Sequence, residues 1–216
     1  MNSSTPEQLV AVTVEDTIAT ITLTRPTKRN ALSLRVVEQL RVAFDTLPDT
    51  VRVAILAGEG EHFCAGLDLS ELTETTTAEG VQHSFKWYEA FSKIQFGRVP
   101  VVCVMQGAVV GGGLELASSA HVRVADETTY FGLPEGQRGI FLGGGGSVRV
   151  SKLIGFSRVT EMMLTGHVVN ASEGLAINLT HYVTPKGQAM DKARELARKI
   201  AGNAPCRTSP LHRLFP

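Results

Sequence analysis

Two carboxylates and three glycine-bearing segments carry the chemistry that this sequence can be read for. The segments are CAGLD (64–68), GAVVGGGLE (107–115) and GIFLGGGGS (139–147), each after a strand-like run or before a helix-like one. Glu115 closes the second segment, and Glu135 sits in GLPEGQ just before the third. Unbonded amides at a helix N-terminus carry partial positive charge and attract anionic atoms. Glycine lets a ligand come close to that backbone. Two such amides aimed at one oxygen make an oxyanion hole. Two carboxylates beside it suit proton transfer next to a carbonyl. Each piece alone has a plainer reading: a glycine run also serves a turn or a tight helix contact, and a glutamate is most often a solvated surface group.

Competing chemistries are poorly supported. No GxxxxGK[ST] phosphate loop is present, and GGGLELA and GGGGSVR place Leu116 and Val148 where a GxGxxG fingerprint needs its third glycine. Arg149 stands where a nucleophile elbow around Ser147 needs glycine. The six histidines (62, 83, 121, 167, 181 and 212) have no zinc-ligand spacing, so no metal is expected. Lys+Arg and Asp+Glu both number 21, which argues against a nucleic-acid surface. The basic run DKARELARKIAGNA places Ala193, Leu196, Ala197 and Ile200 at helical spacing, with Glu195 one turn from Lys199. It reads as a helix with a solvated face.

Stepping outward to the elements that position these residues, 43% apolar and 19% charged residues place the chain among folded globular proteins. Val10–Val14 and Ile18–Thr24 read as a hairpin around Glu15-Asp16. SLRVVEQLRVAFDTL reads as a helix capped by Ser33. VRVAILAG, VVCVMQG, HVRVAD and HYVTP read as strands, the first two buried. SFKWYEAFSKIQF is a helix with Phe85, Tyr88, Phe91 and Ile94 or Gln95 in register, and GGGLELASSA starts another. GLPEGQRGIFLGGGG reads as a long loop, SVRVSKLIG and SRVTEMMLTG as short helices, with a further helix near SEGLAIN and a last one at the basic run. TETTT (Thr73–Thr77) reads as a mobile loop. Alternating strands and helices predict an α/β domain with a largely parallel sheet. Cys64, Cys103 and Cys206 form no CxxC or disulfide pattern, and MNSSTPEQLV is not a signal peptide. A cytoplasmic protein with no membrane partner is the expectation.

Five blocks, in order, make the chain recognisable: ITLTRPTKRNAL, AILAGEGEHFCAGLDL, VPVVCVMQGAVVGGGLELASSAHVRVAD, YFGLPEGQRGIFLGGGGSVRVSKLIG and MMLTGHVVNASEGLAINLTHYV. Together they resemble the enoyl-CoA hydratase/isomerase (crotonase) superfamily over roughly residues 10–200. The resemblance implies a ClpP/crotonase-like spiral of ββα units. It implies an acyl-CoA thioester substrate, with no separate cofactor, whose carbonyl rests on the amides of Leu67 and Gly112. Glu115 and Glu135 occupy the positions of the two hydratase glutamates. They would share one water, Glu115 activating it and Glu135 donating the proton. Gly143 matches a glycine that shapes the water site. Lys28 and Arg29 fall where the family contacts the CoA nucleotide, and Ala65, Asp68, Leu69 and Gly111 flank the two amides along the substrate path.

The same resemblance implies a homotrimer or dimer of trimers completed by C-terminal helices. The core is expected over 1–203. Residues 204–216 end in CRTSPLHRLFP, which has no helical period, so a truncated helical region and an altered assembly are expected. Isomerase, acyl-CoA hydrolase or C–C lyase activity on the same scaffold, or non-catalytic binding of acyl-CoA or a protein partner, are the alternatives.

Overall fold

The computed structural model of the chain describes residues 7–71 and 76–203. The tail expected at 204–216 and Thr73–Thr75 of the expected loop lie outside the described residues. The chain opens as the hairpin read from sequence. Strands β1 (Val10–Glu15) and β2 (Ile18–Leu23) pair antiparallel, with Asp16 at φ 52° in the turn. From β2 onward the pairing is parallel: β3 (Val53–Gly58), β4 (Val101–Met105), β6 (Val122–Asp126) and β9 (Tyr182–Thr184) add in turn to a six-stranded sheet. β3 and β4 are near-continuous apolar runs because both sheet faces are covered. Alternation sorts their side chains. Ala54 and Leu56 join the main core, while Val53, Ile55 and Ala57 meet Ala189, Ala193 and Ala197 of α7 (Ala189–Gly202) on the other face.

Three short strands escaped the sequence reading. β5 (Ala108–Val110), β7 (Tyr130–Gly132) and β8 (Val169–Asn170) form a second sheet in the order β5-β7-β8. At two or three residues each, they are too short for a period to register. β4 runs on into β5 and β6 into β7, each pair followed by a helix or helical turn. This is the spiral of ββα units that the resemblance implies.

The helices follow their local signals. Ser33 Oγ accepts from the Val36 amide and starts α1 (Leu34–Asp45). α2 (Thr77–Gln95) begins well before Ser84, where apolar spacing alone would start it. A reciprocal capping box sets its origin: Thr76 Oγ accepts from the Glu79 amide, and the Glu79 carboxylate accepts from the Thr76 amide. Thr76 and Thr77 are therefore cap and first turn rather than mobile loop. That register buries Trp87, Ala90, Phe91 and Ile94 and leaves Phe85 and Tyr88 exposed, correcting the face expected for this helix. The expected 132–146 loop holds a 3₁₀ turn at Pro134–Arg138, and its last glycine already begins α4 (Gly146–Ile154). α5 (Phe156–Thr165) and α6 (Ala171–Ala176) complete the order.

A close backbone contact joins α3 (Gly112–Ser118) to the segment after β3. A Cβ on Gly113 would lie 2.3 Å from the Cys64 carbonyl oxygen and 2.9 Å from the Cys64 Cβ. Backbone on both sides leaves nothing flexible to yield. Gly113→Ala should lower stability by about 1–3 kcal/mol in urea unfolding, as overpacking does. A neutral result would show that α3 can move away from the 64–67 segment.

Candidate active site

Leu67 and Gly112 are brought side by side by two separate devices. Leu32 bridges Leu67 in parallel: the Leu32 amide donates to the Gly66 carbonyl (2.7 Å), and the Asp68 amide donates to the Leu32 carbonyl (2.9 Å). Successive peptide groups of an extended segment point to opposite sides, so the Leu67 amide faces away from Leu32. Gly112 is the first residue of α3, where an amide has no intrahelical acceptor. A Cβ on Gly112 would lie 3.6 Å from the Leu67 nitrogen. Among the described residues neither amide has a protein acceptor. Gly111 takes φ 53°, a conformation that L side chains rarely adopt, and this turns the chain from β5 into α3.

The segment around Leu67 is braced from behind. The Arg25 guanidinium pairs with Asp68 at 3.0 Å and donates to the Ala31 carbonyl at 2.7 Å. Asn30 Nδ2 donates to the Glu59 and His62 carbonyls. The Asp68 carboxylate also accepts from Ser70, and these donors hold it below the usual carboxylate range. Its partners are thus protein groups, and it fixes its neighbour Leu67 from that position. The Ala65 amide donates to the Arg29 carbonyl. Lys28 and Arg29 are exposed on the adjoining turn, and Leu69 is also exposed.

Glu115, one turn into α3, and Glu135, on the 3₁₀ turn after β7, are 4% and 5% exposed. Both line an open pocket of about 700 Å³ with Leu67, Gly112, Trp87 and Gly143. Their surroundings differ. The Glu115 Oε1 accepts from the Gly146 amide at 2.8 Å, at the start of α4. Glu135 lies against Gly111, where a Cβ would come within 2.6 Å of its Oε1, and its buried Oε2 has no partner among the described residues. Burial pushes both carboxyls up to about 7. For Glu115 the negative charge of Glu135 adds to that rise, while the Gly146 amide and Arg149 oppose it.

The structure thus gathers Leu67, Gly111, Gly112, Glu115, Glu135 and Gly143 at one place, with Ala65 and Asp68 in the supporting segment. Of the aromatic residues Phe85, Trp87 and Tyr88 of α2, Trp87 alone lines the pocket, its ring edge closing on Gly112 at 2.6 Å from a would-be Cβ. The Thr76–Glu79 capping box, with the helical period counted from it, points to that face. His83, Ser84, Ile140 and Phe141 also line the pocket.

The chain is similar to known proteins over most of its length. The sequence pattern of the enoyl-CoA hydratase/isomerase family matches residues 13–214. A short-chain-enoyl-CoA hydratase of Clostridium acetobutylicum is 34% identical over 194 residues, covering 88% of this chain and 74% of that protein. A crystal structure of a candidate enoyl-CoA hydratase from Rhodopseudomonas palustris superposes with a TM-score of 0.89 at 49% identity, covering 91% of this chain and 76% of that one. An enoyl-CoA hydratase from Bacillus anthracis gives a TM-score of 0.86 at 32% identity, covering 92% and 78%.

The raised carboxyls act on stability as well as chemistry. The ordinary glutamate value is 4.5, and both groups stand at about 7 in the folded chain. Between these values the unfolded chain releases the protons while the folded chain keeps them. Stability therefore falls as pH rises through that window, by roughly 3 kcal/mol per carboxyl at most, and does not recover above it. Glu115→Gln and Glu135→Gln should each melt several degrees above the unsubstituted protein near pH 8, with the gap closing near pH 5. Equal melting temperatures across that range would mean the carboxyls ionise as freely as in the unfolded chain.

Proposed function

Because the chain belongs to the enoyl-CoA hydratase/isomerase family, we propose that it is an enoyl-CoA hydratase, adding water across the 2,3 double bond of an enoyl-CoA thioester. The observation that carries this reading is the pair of buried glutamates facing one pocket beside two unengaged amides. The thioester oxygen rests on the Leu67 and Gly112 amides. Negative charge grows on that oxygen as water adds at Cβ, and donors already fixed by the fold stabilise it without reorganising. Glu115 takes a proton from the attacking water, and Glu135 supplies a proton to Cα. Two glutamates on one pocket favour hydration over the other reactions of the superfamily, which keep the amides and vary the acid and base.

The pH dependence follows from the same pair. Hydration needs one carboxylate charged and the other protonated. Below about 7 the water-activating group gains a proton, and above it the donor loses one. The pair titrates as a unit.

The proposal extends to a homotrimer or dimer of trimers, with Lys28 and Arg29 meeting the CoA nucleotide. Cys64 and Cys103 are buried and unpaired, which suits the reducing cytoplasm. No helix among the described residues is long and apolar enough to cross a membrane.

The test is loss of the enoyl-thioester absorbance with a crotonyl-type substrate and a panel of longer and branched acyl groups. Turnover is expected with at least one member, with a rate maximum near neutrality that falls on both sides. Glu115→Gln and Glu135→Gln should each lower kcat by about 10²–10⁴-fold while retaining acyl-CoA binding by calorimetry. Full turnover in either variant would remove that residue from the mechanism. Binding without turnover in the unsubstituted protein would make the chain a non-catalytic acyl-CoA binder.

A further inference from the structure

Arg149 is a buried cation that the hydration chemistry does not use. It stands on α4 and is 6% exposed. Its Nε donates to Gln95 Oε1 at 2.6 Å and its Nη2 to Ser92 Oγ at 3.3 Å, both on α2. Its Nη1 donates to the Gly144 carbonyl at 2.6 Å, and the guanidinium lies 5.5 Å from the Tyr88 ring centroid. No carboxylate is within ion-pair distance among the described residues. A buried charge held only by neutral partners is costly unless a nearby anion compensates it.

The compensating anion is one peptide turn away. Arg149 grips the carbonyl of Gly144, and two residues on, the Gly146 amide donates to Glu115. The turn between them wraps the guanidinium: Gly145 takes φ 93°, and a Cβ there would lie 2.5 Å from Nη1. A Cβ on Gly146 would in turn strike the Glu115 side chain at 2.4 Å. The three glycines therefore act as a rigid link between one buried cation and one buried carboxylate.

We propose that Arg149 is a positioning residue that favours the charged form of Glu115, by fixing the 144–146 turn onto it and placing a permanent positive charge behind it. The proposal rests on the two-glutamate reading of the site only for its kinetic consequence. Glu115 has the Gly146 amide and the Arg149 charge on its side, set against its burial and the charge of Glu135, and Glu135 has neither of the two. Without Arg149, Glu115 is harder to ionise and so a poorer base. Other titratable groups near Glu115 do not reproduce this bias. They are Glu135 on the turn after β7, His83 and Tyr88 on α2, and Cys64 against α3, whose thiol burial pushes up to about 12.

The test reads Glu115 directly, without turnover. Glutamate labelled with ¹³C at the carboxyl is titrated by NMR, and the Glu115 signal is assigned by its loss in Glu115→Gln. In Arg149→Gln the Glu115 midpoint should move up by at least about half a pH unit, since removing a cation disfavours the charged form. Arg149→Lys keeps the charge and should return the midpoint close to that of the unsubstituted protein. On an enoyl thioester, Arg149→Gln should lower kcat about tenfold or more, leave KM within about threefold, and shift the acid limb of the rate profile upward in step. If Arg149→Gln does not fold, Gln95→Ala frees the guanidinium on its α2 side and should raise the midpoint by a smaller amount. An unmoved Glu115 midpoint in the folded variant, or a lysine variant displaced as far as the glutamine one, overturns the proposal. A shifted midpoint in a protein that hydrates no enoyl-CoA leaves the positioning role standing and overturns the hydratase reading instead.

Discussion

The approach of two backbones, α3 against the 64–67 segment, is the constraint from which the rest of the site follows. Gly113 sits on the Cys64 carbonyl at a distance no side chain would allow. With the helix seated there, its first free amide must lie beside Leu67, and its direction carries Glu115 to the pocket one turn later. A single hydrogen bond then locates the second carboxylate. The Gly111 amide donates to the Gly132 carbonyl at 2.9 Å, at the end of β7. Gly111 begins the turn into α3, and Gly132 leads within three residues to Glu135. The small sheet β5-β7-β8 therefore ties the segments bearing the two glutamates directly to each other.

That arrangement opposes stability. Two carboxyls are kept from water, one of them with an oxygen that has no partner among the described residues, and two amides lack acceptors. Desolvated polar groups of this kind each cost on the order of 1–3 kcal/mol. Such a site persists only where the surrounding structure overdetermines it. Here a parallel sheet whose central strands are buried on both faces, covered by α1 to α3 on one side and α7 on the other, supplies that rigidity. The site is confined to strand ends and helix starts, where free backbone groups arise without breaking any element.

How much of this was legible in the sequence depends on whether a feature is local. The hairpin, the Ser33 cap, the buried apolar strands and the alanine stripe of α7 follow from neighbours a few residues apart. The glycine segments and both glutamates stood out because glycine runs are costly unless backbone approaches backbone. Their convergence was not readable from spacing, since it depends on the Leu32–Leu67 bridge and on β5, β7 and β8, which are too short to leave a period. The assignment of individual amides came from resemblance to a family. Asp68 is the instructive case. A carboxylate beside an oxyanion amide invites a substrate role, yet Arg25 holds it from a distant turn, an ion pair that no local pattern announces. The burial of Arg149 had no local signal, because an arginine in an amphipathic helix ordinarily reads as a surface charge.

α2 serves the pocket differently along its two halves. Its C-terminal half presses on both glycine segments: the Trp87 ring meets Gly112, and Phe91 lies 2.8 Å from a would-be Cβ on Gly144. Ser92 and Gln95, further along, hold Arg149. Its N-terminal half, with Thr77, Gly80, Val81 and Ser84, lines the pocket opposite Ile140 and Phe141. The capping box at Thr76 fixes where the helix begins, and from there the helical period delivers Trp87 to Gly112. Side chains in the first half can therefore vary in size or polarity and reshape that end of the pocket. The second half is packed against the Gly112 amide and, through Arg149, the turn that holds Glu115. One helix thus shapes one end of the pocket and braces the other.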